Sequence, residues 1–169
     1  HNIIKKILIK NKLFQIILLI FVLIYLYYFS ISIFFFINSD NPNNIMMLLF
    51  LFTICISTDI GGYIFGKTFK GKKLTKISPN KTYAGLIGSF LLSILFSIIF
   101  FRNLDLIYNY LLITIFISFI SQAGDLFISY LKRKAKVKDT GNFLPGHGGL
   151  LDRLDGILLA LPIGIVLLS

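Results

Sequence analysis

The sequence predicts an all-α integral membrane protein, a multispanning helical bundle with about five transmembrane helices, and three observations carry that prediction. Hydrophobic residues make up 56% of the chain and charged residues only 14%, against roughly 25% charged in an ordinary soluble domain. Mean hydropathy is +0.85. Apolar residues also run on unbroken for lengths near the roughly 20 residues needed to cross about 30 Å of hydrocarbon.

Five apolar runs can be marked in order. The first, 13–37, is too long for a signal-peptide core and lacks an Ala-x-Ala-like cleavage site, so it is expected to stay in the membrane. The second covers 45 to about 66, the third 83–101, and the fourth 106 to about 124. The fifth begins at 157 and is short, spanning only if the parent chain continues. The chain opens on His1 rather than Met and ends in a still-apolar stretch, so both ends are expected to be cuts in a longer protein.

The connections alternate between basic and non-basic. With five crossings, the N-terminal stretch and the connections 67–82 and 125–156 fall on one side, and they hold every Lys and Arg except Arg102. The positive-inside rule makes that side cytoplasmic. A formal charge of +10 could otherwise suggest nucleic acid, but the lysines sit in short blocks between apolar runs and leave no basic domain to hold a duplex. Cys55, the one cysteine, lies in an apolar run; no intramolecular disulfide can form, and it reads as a small buried apolar residue. That all seven acids are Asp reads as compositional bias. No internal repeat is present.

Charges in or beside membrane segments cost a few kcal/mol each on insertion scales, so their positions are informative. Asp59 lies in the second run and Asp125 at the foot of the fourth; Asp152 and Asp155 precede the fifth. For Asp59 the ordinary alternative is a polar helix-packing contact. Asp152 and Asp155 are three apart, so on a helix both carboxylates share a face and can point at one ion or substrate, with Asp125 completing an oxygen cage. Such hard ligands suit Mg2+, which takes one or two protein carboxylates and fills its other positions with water and phosphate oxygens. One internal histidine and one cysteine cannot make a zinc site.

Phosphate chemistry needs the complement of that cage. Lys132, Arg133, Lys138 and Arg153 can neutralise phosphates, and Gly146, Gly148 and Gly149 let backbone N–H groups approach them. His147 is as well explained by a hydrogen bond that fixes its turn as by a substrate contact, and an anionic phosphate nucleophile does not need it as a base. Most lysines of the 67–82 connection read as topology determinants; Lys81 stands out for its Ser-Pro-x-Lys-Thr setting.

At these residues the chain resembles the phosphatidate cytidylyltransferase (CDP-diacylglycerol synthase) family. Ser129, Lys132-Arg133, Lys138-Asp139, Gly141, Leu144-Pro145-Gly146-His147-Gly148-Gly149, Asp152-Arg153 and Asp155 stand at the spacing of the family signature. Upstream, Asp59, Tyr63, Gly66, Ser78-Pro79, Lys81-Thr82, Gly85 and Gly88 follow in the family's order. Two positions depart: Ala84 and Ile128 stand where the family usually has Glu, which puts any help those glutamates give to metal or nucleotide in doubt.

The resemblance implies transfer of CMP from CTP to phosphatidic acid, with release of pyrophosphate, using Mg2+ alone or with a monovalent cation such as K+. It implies Asp125 and Asp152, then Asp155 and Asp59, as metal ligands. Lys132, Arg133, Lys138 and Arg153 would hold phosphates, with Asp139 and His147 beside them. Ser78, Lys81 and Thr82 would line the nucleotide or lipid phosphate site together with the Gly146–Gly149 turn. The expected organisation is then two membrane helices within 1–58 and a catalytic membrane region over 59–169 with cytoplasmic loops 67–82 and 125–156. The expected setting is the inner membrane, with CTP, phosphatidic acid and the bilayer as partners, no nucleic acid, and a homodimer allowed for.

Three rivals are weighed. The CDP-alcohol phosphatidyltransferases begin their motif as Asp152-x-x-Asp155-Gly156 does, but here Ala160 is one place late and no acid follows Asp155. A CTP-dependent polyprenol or lipid kinase would use the same phosphate chemistry. An ion-coupled transporter would place its acids at mid-membrane, whereas these gather towards one face.

Overall fold

A computed structural model describes residues 12–75, 78, 81–101, 107–134 and 151–168, and at 12–15, 18, 107–108 and 151–153 the backbone alone. The described residues form five helices: α1 Lys12–Ile37, α2 Asn44–Phe69, α3 Tyr83–Phe100, α4 Ile107–Lys134 and α5 Leu151–Leu168. Among them there is no strand, only an isolated antiparallel bridge between Lys73 and Thr82. The expected all-α membrane fold is what forms. Stretches Leu19–Ile37, Asn44–Phe69, Tyr83–Phe100 and Asn109–Lys134 are long and apolar enough to cross a bilayer, and Leu154–Leu168 is a shorter apolar helix.

By its contacts the chain divides into two units, His1–Asp40 and Asn41–Ser169. The first contains α1, whose sequence is apolar on every side, as suits a helix solvated by lipid.

The second unit is an α2–α5 bundle built inside out relative to a soluble protein. Its buried interior is rich in small hydroxyl residues, among them Ser57, Thr58, Ser89, Ser93, Ser97, Thr114, Ser118 and Ser121, while Ile64, Leu91, Leu112, Phe119 and Val166 are exposed. In lipid, apolar side chains gain little by burial against one another, so helices associate through close packing and interhelical hydrogen bonds. Thr58 Oγ1 of α2 donates to Ser118 Oγ of α4 at 3.0 Å, and Ser89 Oγ of α3 donates to the Thr58 carbonyl at 2.8 Å. Further along, Thr114 Oγ1 donates to Ser97 Oγ at 2.9 Å and ties α4 to α3.

The tightest seam lies between α2 and α3. A Cβ on Gly61 would stand 2.5 Å from the Gly88 carbonyl oxygen, so only glycine lets these backbones approach. At the far end of the bundle Phe50, Phe101 and Tyr110 clasp α2, the end of α3 and α4; the Phe101 and Tyr110 rings stack at 3.8 Å. Within this unit sequential helices run antiparallel, which returns the second half of α2, the start of α3, the second half of α4 and the start of α5 to one end.

The structure departs from the expected loop at 125–156 at both of its edges. α4 continues to Lys134, and α5 already begins at Leu151. Loss of apolar character is not a helix stop: residues 125–134 contain neither Gly nor Pro, so the helix runs on beyond its apolar stretch. Asp125 therefore sits within a helix rather than at its foot.

Candidate active site

The described residues of the connection between α2 and α3 are held by hydrogen bonds among themselves. The chain leaves α2 through two left-handed residues, Lys70 (φ 51°) and Gly71 (φ 96°). Leu74 N–H then donates to the Lys81 carbonyl at 2.8 Å, and Tyr83 N–H to the Lys72 carbonyl at 3.2 Å. Lys81 N–H donates to the Ser78 carbonyl at 3.1 Å. Thr82 caps α3, its Oγ1 accepting from Gly85 N–H at 3.1 Å, which satisfies one of the donors every helix start leaves unpaired. Lys81 is thereby held just ahead of the helix.

From that position the Lys81 ammonium forms an ion pair with the Asp125 carboxylate of α4. Ser129 Oγ, one turn further on, donates to Asp125 Oδ1 at 3.4 Å. Asp125 also interacts electrostatically with Asp59 of α2 and with Asp155 of α5. Asp155 is buried, accepts from the Gly156 N–H at 3.0 Å, and has the Lys132 ammonium 3.9 Å away. Close approach of α4 and α5 here depends on Gly124, where a Cβ would stand 3.1 Å from the Asp155 carbonyl oxygen.

Asp59, Ser78, Lys81, Thr82, Asp125 and Asp155 line one cavity of about 340 Å3. Two clusters far apart in the sequence thus become one site. Its walls also include Thr58, Tyr63, Ser89 and Gln122. Thr58, Ser89 and Gln122 escaped the sequence reading, though Gln122 carried a signal: a long polar side chain in an apolar run, three residues before Asp125 and so on the same helical face.

The remaining expected residues are placed less fully. Lys132 lies two turns beyond Asp125 on α4, and Arg133 is exposed in its last turn. Asp152 and Arg153 fall in the first turn of α5, their side chains outside the described residues. Lys138, Asp139, Gly146, His147, Gly148 and Gly149 lie outside the described residues altogether. Among the described residues, no group of three or more His, Cys, Asp or Glu is ready to hold a metal ion. The carboxylates of Asp59, Asp125 and Asp155 still supply hard oxygen donors to one cavity, and Mg2+ needs only one or two from protein.

Fold and site together define a multispanning membrane protein whose helices carry a carboxylate and lysine cavity at one end, a donor set suited to phosphate chemistry. The comparison with known sequences makes the family plain: the chain belongs to the cytidylyltransferase family, matching it over residues 2–169. It is similar to the phosphatidate cytidylyltransferase of Bacillus subtilis (strain 168), 45% identical over 127 residues that cover 71% of this chain and 47% of that protein. The phosphatidate cytidylyltransferase of Rickettsia typhi is 46% identical over 122 residues, 66% of this chain and 54% of that protein. That of Staphylococcus epidermidis (strain RP62A) is 46% identical over 123 residues, 70% and 47% respectively. The chain spans about half the length of the curated relatives it matches.

Proposed function

We propose that this chain carries the catalytic site of a CTP-dependent phosphatidate cytidylyltransferase, which transfers CMP from CTP to phosphatidic acid to give CDP-diacylglycerol and pyrophosphate. One observation carries the reading: the ion pair between Lys81 and Asp125 joins the two motif regions in a cavity that also holds Asp59 and Asp155, in a member of the cytidylyltransferase family.

In the proposed reaction a phosphate oxygen of the lipid attacks the α-phosphorus of CTP. A new P–O bond forms as the α–β bridging P–O bond breaks, and pyrophosphate leaves with the electron pair. Little covalent work falls to the protein; its task is to align the two substrates and balance charge. Lys81, with Lys132 beside Asp155, supplies cations for oxygens that gain charge, and Ser78 and Thr82 offer neutral contacts on the same wall. Asp125, Asp155 and Asp59, with Asp152, are the residues that would hold Mg2+, alone or with a monovalent cation such as K+. Mg2+ when bound would neutralise phosphate charge and polarise the centre under attack.

The inner membrane and a site facing the cytoplasm belong to the same proposal. Lys67, Lys70, Lys72, Lys73 and Lys81 lie at the end of the bundle that also carries Lys132, Arg133 and Lys134, and clustered basic residues mark the cytoplasmic side. A homodimer is a further expectation, open to mass measurement in detergent.

The test is to incubate the full-length protein in detergent with CTP, phosphatidic acid and Mg2+, following pyrophosphate and CDP-diacylglycerol, with Asp125→Asn as control. Both products, lost in the control, support the proposal. Release of CDP in place of pyrophosphate would reassign the protein as a kinase, and no nucleotide turnover would sink the enzymatic reading.

A further inference from the structure

The neutral polar residues that line the cavity are almost fully satisfied. Thr58 Oγ1 is committed to Ser118, and Ser89 Oγ to the Thr58 carbonyl. Gln122 differs: it lines the same cavity, and its amide nitrogen is buried with no hydrogen-bond partner among the described residues. A buried donor left unpaired is costly, so such a group normally meets an acceptor when the site is filled.

Two features specify that acceptor. Among the described residues Lys81 is the one cation lining the cavity, and it is engaged by Asp125. Of the other neutral polar groups of the cavity, Thr58 and Ser89 have their hydroxyl protons committed, so at Gln122 an uncharged carbonyl is a better matched acceptor than a phosphate oxygen, which calls for a cation. The second feature is depth. Gln122 precedes Asp125 by three residues on α4, about 4.5 Å along the axis, and lies on the side away from the basic last turn of that helix. It is therefore nearer the hydrocarbon than Asp125 and the Lys81 ammonium paired with it. A glycerophospholipid seated with its phosphate near Lys81 carries its ester carbonyls on that same, deeper side, whereas a nucleotide enters from the basic end.

We propose that Gln122 donates a hydrogen bond to an acyl-ester carbonyl of the lipid substrate and makes the site prefer ester-linked over ether-linked glycerol phosphates. The inference rests on the activity proposed above and specifies which lipid feature the cavity reads. An ether oxygen is a far weaker acceptor than an ester carbonyl and leaves the amide unpaired.

The test uses the full-length protein in mixed micelles with Mg2+ and saturating CTP, comparing diacyl with dialkyl glycerol phosphate of equal chain length in the wild type and in Gln122→Met. The wild type is expected to show a KM about three- to tenfold lower for the diacyl lipid, the range of one neutral hydrogen bond. Gln122→Met is expected to raise the diacyl KM to the dialkyl value, with kcat and the KM for CTP unchanged. Equal KM values in the wild type would overturn the inference without any variant, and would leave a water as the partner of Gln122. A Gln122→Met effect confined to the KM for CTP would overturn it in favour of a nucleotide contact. No turnover with either lipid would overturn the activity itself, a result distinct from turnover without preference.

Discussion

Lys81, one residue before the cap of α3, and Asp125, in the second half of α4, form an ion pair that closes the wall of the cavity. Lys81→Met removes that cation and leaves Asp125 facing Asp59 and Asp155, with Lys132 beside Asp155 as the remaining compensation. Pyrophosphate release should fall by roughly a hundredfold or more, the scale of losing one well-placed electrostatic contact. Since both residues serve one site, Lys81→Met/Asp125→Asn should be scarcely slower than the worse single variant, a non-additivity that turnover measurements on all three would show.

Asp152→Asn is expected to abolish turnover while leaving membrane insertion intact, because an oxygen ligand loses its charge without changing shape. Parallel assays of product formation and membrane extraction check this, and retained activity would remove Asp152 from the metal site.

Chelation of divalent cations should stop pyrophosphate release, and added Mg2+ should restore it, since Asp59, Asp125 and Asp155 offer hard oxygen donors. Recovery with Ca2+ to the same rate would count against the octahedral, phosphate-bridging role proposed for Mg2+.

Gly61→Ala should be destabilising by about 1–3 kcal/mol, because the new methyl group would stand 2.5 Å from a backbone carbonyl oxygen, that of Gly88. Gly62→Ala should cost less, its methyl group meeting the Ser89 Oγ side-chain atom rather than backbone, although turning that hydroxyl aside gives up its bond to the Thr58 carbonyl. Thermal unfolding of the two variants in one detergent gives the comparison.

Thr82→Ala should cost about 1 kcal/mol through loss of the α3 cap, since Thr82 Oγ1 accepts from Gly85 N–H. Restoration of stability by Thr82→Ser, which keeps the oxygen, would separate capping from loss of packing.

By itself the sequence determined the solvent and the parts. Long apolar runs have one stable backbone solution in lipid, the helix, so spans could be placed from composition alone. The carboxylates Asp59, Asp125 and Asp155 were legible because a charge beside a membrane segment is too costly to be incidental. Helix ends were less legible: α4 runs on to Lys134 because nothing there stops a helix, although the apolar signal has faded. Tertiary structure alone decided that the Lys81 connection and the Asp125 helix share one cavity, as their meeting depends on the antiparallel return of α3 against α2 and the close approach that Gly61 and Gly88 allow. It also decided the standing of Gln122, whose type is visible in the sequence but whose unpaired amide is visible only once its neighbours Thr58 and Ser89 have found their partners. Local propensity and hydropathy act over a few residues, whereas which polar groups end up facing one another depends on the packing of the whole bundle.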